Sequence, residues 1–192
     1  RGLQHAHERG IIHRDVKPSN IMIDENGEIK ILDMGLARFA EDVSDNLTAK
    51  LNQSGIFCTP DYSAPEMLEA PLTVDHRADI YSLGVTLYTM LAGRTPFRGS
   101  ITQKLVAHVE EIAPPVNLCN PKVSPTLSNL IAAMMEKKPE NRPNTVLEVI
   151  QRLQPFSSRV DWGTLTTPAN STPKIIDLHR EIRKGFLPLI IR

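Results

Sequence analysis

The chain has 192 residues and is poor in several things that mark whole classes of protein. It holds only two cysteines, Cys58 and Cys119. Their spacing fits neither a disulfide framework nor a zinc site, so a reduced, cytoplasmic setting is the plain expectation. Charge of one sign is not in excess: 22 Lys and Arg stand against 22 Asp and Glu. That balance lacks the basic footprint of a nucleic-acid binder. No apolar run approaches the ~20 residues needed to span a bilayer. Of the ten glycines, at 2, 10, 27, 35, 55, 84, 93, 99, 163 and 185, no two are separated by a single residue. A Gly-x-Gly phosphate loop is therefore missing. The chain opens on Arg1-Gly2-Leu3, without an initiator Met or a signal-peptide pattern, and reads as cut from a longer chain.

What remains is the composition of a globular domain, 41% hydrophobic and 23% charged. Residues 1–9 read as the end of a helix stopped by Gly10. "IMI" (21–23) and "IKIL" (29–32) flank "DENGE", whose Asn26-Gly27 suits positive φ, so a β-hairpin is expected. Residues 36–63 lack periodicity and read as a long loop. From Asp75 the pattern turns helical, with Ile80, Leu83, Leu87, Met90 and Leu91 at three- and four-residue steps and Gly93 as the stop. Further helices fit roughly 100–111, 125–137 and 144–153. Residues 154–173, with Pro155, Pro168 and Pro173 among Ser and Thr, read as a linker. Ile175, Leu178 and Ile182 then mark one face of a short amphipathic helix, and "GFLPLII" (185–191) is apolar but too short to cross a membrane. The division expected is a domain at 1–153, a linker at 154–173 and a tail at 174–192. The fold class is α+β, mainly helical.

The chemistry lies in "HRDVKPSNIMIDENGEIKILDMG" (13–35). A hairpin brings its outer ends together, and opposed residues lie about 5 Å apart. Asn20 precedes the first strand and Asp33 follows the second. Their oxygens are the hard ligands Mg²⁺ prefers. Asp15 lies five residues before Asn20, in a segment stiffened by Pro18, where it can orient a hydroxyl and accept its proton. Lys17, pushed toward an extended backbone by the proline, offers a positive charge to a phosphoryl group. Each residue alone is weak: an Asp near a turn is commonplace, and His13 by itself reads as a core histidine. The ordered set of Asp15, Lys17, Asn20 and Asp33 around one hairpin is the stronger signal.

With these motifs the chain resembles the C-terminal lobe of eukaryotic-like (Hanks-type) serine/threonine protein kinases. "HRDVKPSN" is similar to the catalytic loop of that family, "DMG" to its metal-binding triplet and "CTPDYSAPE" (58–66) to the segment that receives substrate. "DIYSLGVTLYTMLAGRTPF" (79–97) resembles the buried central helix, and "NRP" (141–143) the site of an arginine paired with the Glu of Ala-Pro-Glu. The resemblance covers residues 1–153. It implies a protein substrate, ATP and Mg²⁺, with Asp15 as the catalytic base, Lys17 as the phosphate-contacting lysine and Asn20 and Asp33 as metal ligands. Met22 would line the floor of the adenine pocket. Arg14 would bind a phosphorylated activation segment carrying Thr48 and Ser54 as candidate phosphosites. Thr59 would bond the catalytic Asp and Lys, Asp79 would hold the loop backbone, and Glu66 would pair with Arg142.

Two positions depart from the family pattern: Met34 stands for the usual Phe of the triplet and Cys58 for the usual Gly before Thr59. A larger departure is that only 12 residues precede His13. They hold neither a Gly-rich loop nor a strand lysine, so the family's N-terminal lobe is absent and weak or no activity is expected of the isolated chain. Two other readings stand beside this one: a small-molecule phosphotransferase, and a non-catalytic interaction module. Lys17 and the Ala-Pro-Glu segment speak against the first. Bacterial members of the family are often membrane-attached, so attachment of a parent chain is also carried as an expectation.

Overall fold

The computed structural model of the protein describes residues 1–23, 29–32, 38–39, 59–71, 73–156 and 176–177. Asp33, Met34, Gly35, Thr48, Ser54 and Cys58 lie outside the described residues, as do 157–175 and 178–192.

Helix α1 (Gly2–His7) buries only Leu3 and is followed by Gly10 at φ 71°. Strand β1 (Ile11–Ile12) leads into the loop 13–17, and a single 3₁₀ turn (Pro18–Asn20) then feeds β2 (Ile21–Ile23). Proline is suited to that turn, because its φ is preset and its missing N–H is not needed there. Strand β3 (Ile29–Ile31) pairs antiparallel with β2, with Ile21 opposite Ile31, Met22 opposite Lys30 and Ile23 opposite Ile29. The two strands expected around Asn26-Gly27 are therefore present and paired, and the turn itself lies outside the described residues. Strand β4 (Arg38–Phe39) pairs antiparallel with β1. This corrects the reading of 36–63 as loop throughout: two residues of that stretch are drawn into a ladder by the free edge of β1.

Helix α2 (Pro65–Glu69) starts on Pro65. Helix α3 (Arg77–Ala92) is the longest among the described residues and ends at Gly93 in the left-handed conformation, φ 68°. The apolar periodicity expected for it describes only one of its sides. Ile80 and Leu91 are buried, but so are Tyr81, Val85 and Tyr88 on other faces. A helix that is apolar all round is one packed on all sides. Helices α4 (Ile101–Glu110), α5 (Val116–Cys119), α6 (Pro125–Met134) and α7 (Val146–Leu153) complete the helical body. Hydroxyl caps open three of them: Ser100, in a capping box with Gln103, on α4, Ser124 on α6 and Thr145 on α7.

Strand β5 (Ile176–Asp177) pairs antiparallel with the other edge of β2, placing Met22 opposite Asp177 and Ile23 opposite Ile176. At these residues the amphipathic helix expected from Ile175, Leu178 and Ile182 gives way to a strand. An unpaired strand edge offers N–H and C=O groups that a β-branched segment satisfies more completely than an isolated helical turn does.

The core lies on both sides of α3. Tyr81, Val85 and Tyr88 pack with Val116, Leu127 and Ile131. Ile80 packs with Leu3, Val16, Ile21, Ile23, Leu130 and Met134. The second group ties the hairpin and the loop before it to the helical body. No helix among the described residues is long and apolar enough to cross a membrane.

Candidate active site

Helix α3 carries polar side chains where a buried helix should have none. Asp79, Ser82 and Thr86 are all essentially inaccessible to solvent. Their spacing of three and then four residues puts them on one face. Each serves a backbone group of a neighbouring loop. Asp79 accepts from the backbone N–H of His13 at 2.8 Å and of Arg14 at 2.7 Å. Thr86 donates to the carbonyl of Val16 at 3.2 Å. The loop 13–16 is thus clamped to α3 at both ends, two turns apart. Ser82, between them, donates to the carbonyl of Tyr62 and holds a second loop. Arg14 sits at φ 66°, left-handed for a residue with a side chain. Both N–H groups around that turn, its own and that of His13, are spoken for by Asp79.

Two histidines support this clamp. His7, on α1, bonds Asp79 through Nε2 at 2.8 Å. His13 is buried. Its Nδ1 accepts from the Asp15 N–H and its Nε2 donates to the Leu32 carbonyl at 3.1 Å, which places the ring hydrogen on Nε2. Leu32 N–H in turn donates to the Asn20 carbonyl at 2.8 Å, extending the β2–β3 ladder by one step. The backbone just before Asp33 is therefore held between Asn20 and His13.

The clamped loop presents Asp15. One carboxylate oxygen accepts from the Thr59 hydroxyl at 2.7 Å, and the other from Asn20 Nδ2 at 3.0 Å. Lys17 Nζ stands 2.6 Å from Asp15 Oδ2 and donates to Thr59 Oγ1 at 2.8 Å. Asn20 Nδ2 also donates to the Asp15 carbonyl at 2.9 Å. With its nitrogen committed, the oxygen of Asn20 is left as a hard donor for a cation. The structure thus brings together Asp15, Lys17, Asn20 and Thr59. Met22 lies half-buried on β2, next in line from Asn20 and Ile21.

Thr59 belongs to the second loop, and Glu66 anchors that loop's far end. Glu66 and Arg142 form a two-pronged ion pair, with Nη2–Oε2 at 2.7 Å. Arg142 also donates to the carbonyls of Arg77, Glu136 and Lys137, so all five of its N–H groups are used. Nearby, burial and then the charge of Arg142 lower the Lys137 ammonium to about 8. Burial likewise pushes His108 down to about 4.

His7, Ser82 and Thr86 carry no signal that isolates them in the sequence. The nearest thing is the i, i+3, i+7 recurrence of polar residues within an apolar helix.

A carboxylate that can steer a hydroxyl, beside a lysine and a cation-seeking amide oxygen, has the parts that phosphoryl transfer to an alcohol calls for. Residues 1–153 match the family described as protein kinase domain, and the chain belongs to that family. Its relatives are serine/threonine kinases. A probable serine/threonine-protein kinase PknB of Bifidobacterium longum is 40% identical over 147 residues, which is 76% of this chain and 21% of that protein. A probable serine/threonine-protein kinase of Clostridium perfringens is 38% identical over 155 residues, 80% of this chain and 22% of the relative. The serine/threonine-protein kinase PknB of Mycolicibacterium smegmatis is 38% identical over 148 residues, 77% and 23%. The chain spans about a fifth of the length of the curated relatives it matches.

Proposed function

We propose that this chain carries the catalytic-loop half of a serine/threonine protein kinase, which transfers the γ-phosphate of ATP to Ser or Thr hydroxyls of protein substrates. The observation that supports it most is the network joining Asp15, Lys17, Asn20 and Thr59. In this reading Asp15 orients the acceptor hydroxyl and takes its proton. Lys17 faces the transferred phosphoryl group, and the hydroxyl of Thr59 keeps Asp15 and Lys17 in register. Asn20 and Asp33 hold Mg²⁺, which neutralises charge on the phosphates, and Met22 forms part of the adenine floor. Arg14 meets a phosphorylated segment, with Thr48 and Ser54 as its candidate phosphosites.

Residues 1–153 are read as the C-terminal lobe, 154–173 as a linker and 174–192 as a tail. Positioning and charge stabilisation supply nearly all of the catalysis in phosphoryl transfer. A chain without a Gly-rich loop and strand lysine lacks half of those parts, so residues 1–192 alone are expected to turn over ATP slowly or not at all.

The test is a peptide kinase assay on this chain and on the same chain joined to an N-terminal kinase lobe. The joined protein should phosphorylate Ser or Thr peptides and lose about 10²- to 10⁴-fold in rate on Asp15→Ala. Robust turnover by residues 1–192 alone, abolished by Asp15→Ala, would overturn the claim that the missing lobe is required. An Asp15→Ala joined protein as active as its parent would overturn the catalytic role.

A further inference from the structure

Strand β2 is the middle strand of three. Strand β3 takes one of its edges and β5 the other, with Met22 opposite Asp177 and Ile23 opposite Ile176. The segment that forms β5 returns to β2 after residues 157–175. The two outer edges of the β2–β3 hairpin are not alike. Ile21 and Ile23 on β2 are buried against Ile80 and Leu130 of the helical body, so that edge has a firm support. On β3, Ile29 and Lys30 are exposed. A charged, outlying strand discourages pairing, whereas unpaired N–H and C=O groups on a fixed strand invite it.

The same hairpin positions part of the site. Asn20 immediately precedes β2, and its carbonyl accepts from the Leu32 N–H at 2.8 Å. The Leu32 carbonyl in turn accepts from His13 Nε2 at 3.1 Å. The β2–β3 ladder therefore decides where the backbone around Asn20 stands. A two-stranded hairpin is only marginally stable in water, and a third strand makes it firm.

We propose that the outer edge of β2 is a docking surface for an extended peptide strand. Its occupant is the chain's own segment Ile176–Asp177, and filling the edge braces the hairpin that follows Asn20. Main-chain hydrogen bonds supply the attraction, as in strand addition to any open sheet edge. A two-residue ladder is weak by itself, but a segment of the same chain meets the edge at a local concentration of about a millimolar. Such a contact is exchangeable, so a free strand of the same sequence can take its place. The docking stands on the backbone pairing alone. Its effect on Mg²⁺ rests on the proposed reading of Asn20 as a metal ligand.

The test compares amide hydrogen exchange in the full chain and in the double variant Ile176→Pro with Asp177→Pro, which cannot donate to β2. Exchange at 21–23 and 29–31 should quicken about 3- to 30-fold, the span of one or two lost hydrogen bonds, while amides of α3 stay as protected as before. Ile176→Val, which keeps the N–H and the branched side chain, should behave as wild type. A millimolar peptide of residues 173–181 should restore protection to the double variant. In the chain joined to an N-terminal kinase lobe, the double variant should raise the KM for Mg-ATP about three- to tenfold, as the braced fraction falls. Equal protection in wild type and double variant overturns the docking and leaves the phosphotransfer reading standing. Failure of the peptide to restore protection overturns it as well, and protection that rises with protein concentration gives the edge to a second copy instead. Lost protection with an unchanged KM overturns the bracing of the site. A joined protein with no kinase activity removes the phosphotransfer reading, and the exchange comparison does not depend on it.

Discussion

At the scale of single residues, the site is held by side chains that bond backbone as well as one another. Arg142 uses all five N–H groups on Glu66 and three carbonyls while itself buried. Removing one partner of a buried, hydrogen-bonded charge pair typically costs about 3–5 kcal/mol, because the other charge is left uncompensated. Arg142→Ala is expected to cost that much, seen as a fall in Tm of roughly 6–20 °C by differential scanning calorimetry. Arg142→Lys should recover only part of it, since an ammonium cannot supply the planar fork. Asp79 makes a sharper test. An amide at this position keeps the shape but turns one acceptor into a donor facing a backbone N–H. Asp79→Asn should cost about 2–3 kcal/mol and speed amide hydrogen exchange at His13 and Arg14 above all. Protection at those two amides unchanged from wild type would show that Asp79 does not hold the loop.

At the scale of elements, α3 is the axis on which both loops hang, and its contact with α6 is close. A Cβ built on Gly84 would stand 2.9 Å from Met134 Cβ and 3.0 Å from Met135 Cγ. On an exposed helix Gly→Ala gains about 1 kcal/mol. Here the crowding wins, and Gly84→Ala should destabilise by about 1–3 kcal/mol in urea unfolding. A gain in stability would mean that the two helices can separate at little cost. Elements like α3 and the β2–β3 hairpin were legible in the sequence because their signals are local: a long helical period ended by glycine, and β-branched runs around Asn26-Gly27. Strands β1, β4 and β5 and helices α2 and α5 were not. Each is two to five residues long, and such segments take their conformation from a partner far away in the chain. Residues 175–182 satisfy a helical period as well as a strand, and only the free edge of β2 decides at 176–177. The chemistry-bearing residues of the site were legible for a different reason: Asp15, Lys17 and Asn20 need particular functional groups at particular spacings. Of their supports, Asp79 was expected only through the family resemblance and His7 and Thr86 were not expected, because the bonds of Asp79 to the loop and His7 and of Thr86 to the loop run 65 to 72 residues along the chain.

At the scale of the whole molecule, formal charge neutrality hides two basic side chains that the fold crowds together against aromatic rings. His108 and Lys137 lie together against Tyr81 and Phe97. Lys137 Nζ donates to the His108 carbonyl at 2.8 Å, and the Tyr81 hydroxyl is 2.9 Å from His108 Nδ1. Burial first, and the Lys137 charge second, hold the His108 imidazole down at about 4 against an ordinary 6.5. The unfolded chain therefore takes up a proton near pH 6.5, and the native chain resists it until about pH 4. The unfolded state binds more protons throughout that window, so stability falls as pH falls from about 6.5 to 4, by about 3 kcal/mol from this one group. Other carboxylates also titrate on the way down, so the wild-type curve alone cannot isolate the effect. His108→Gln can: glutamine still accepts from Tyr81 and does not titrate. Urea midpoints of the two proteins should run apart as acid is added, with the variant losing less by about that amount at pH 4. Parallel curves from pH 7 to 4 would mean that water reaches the His108 ring, and that the packing of α4 against Tyr81 is looser than the distances require.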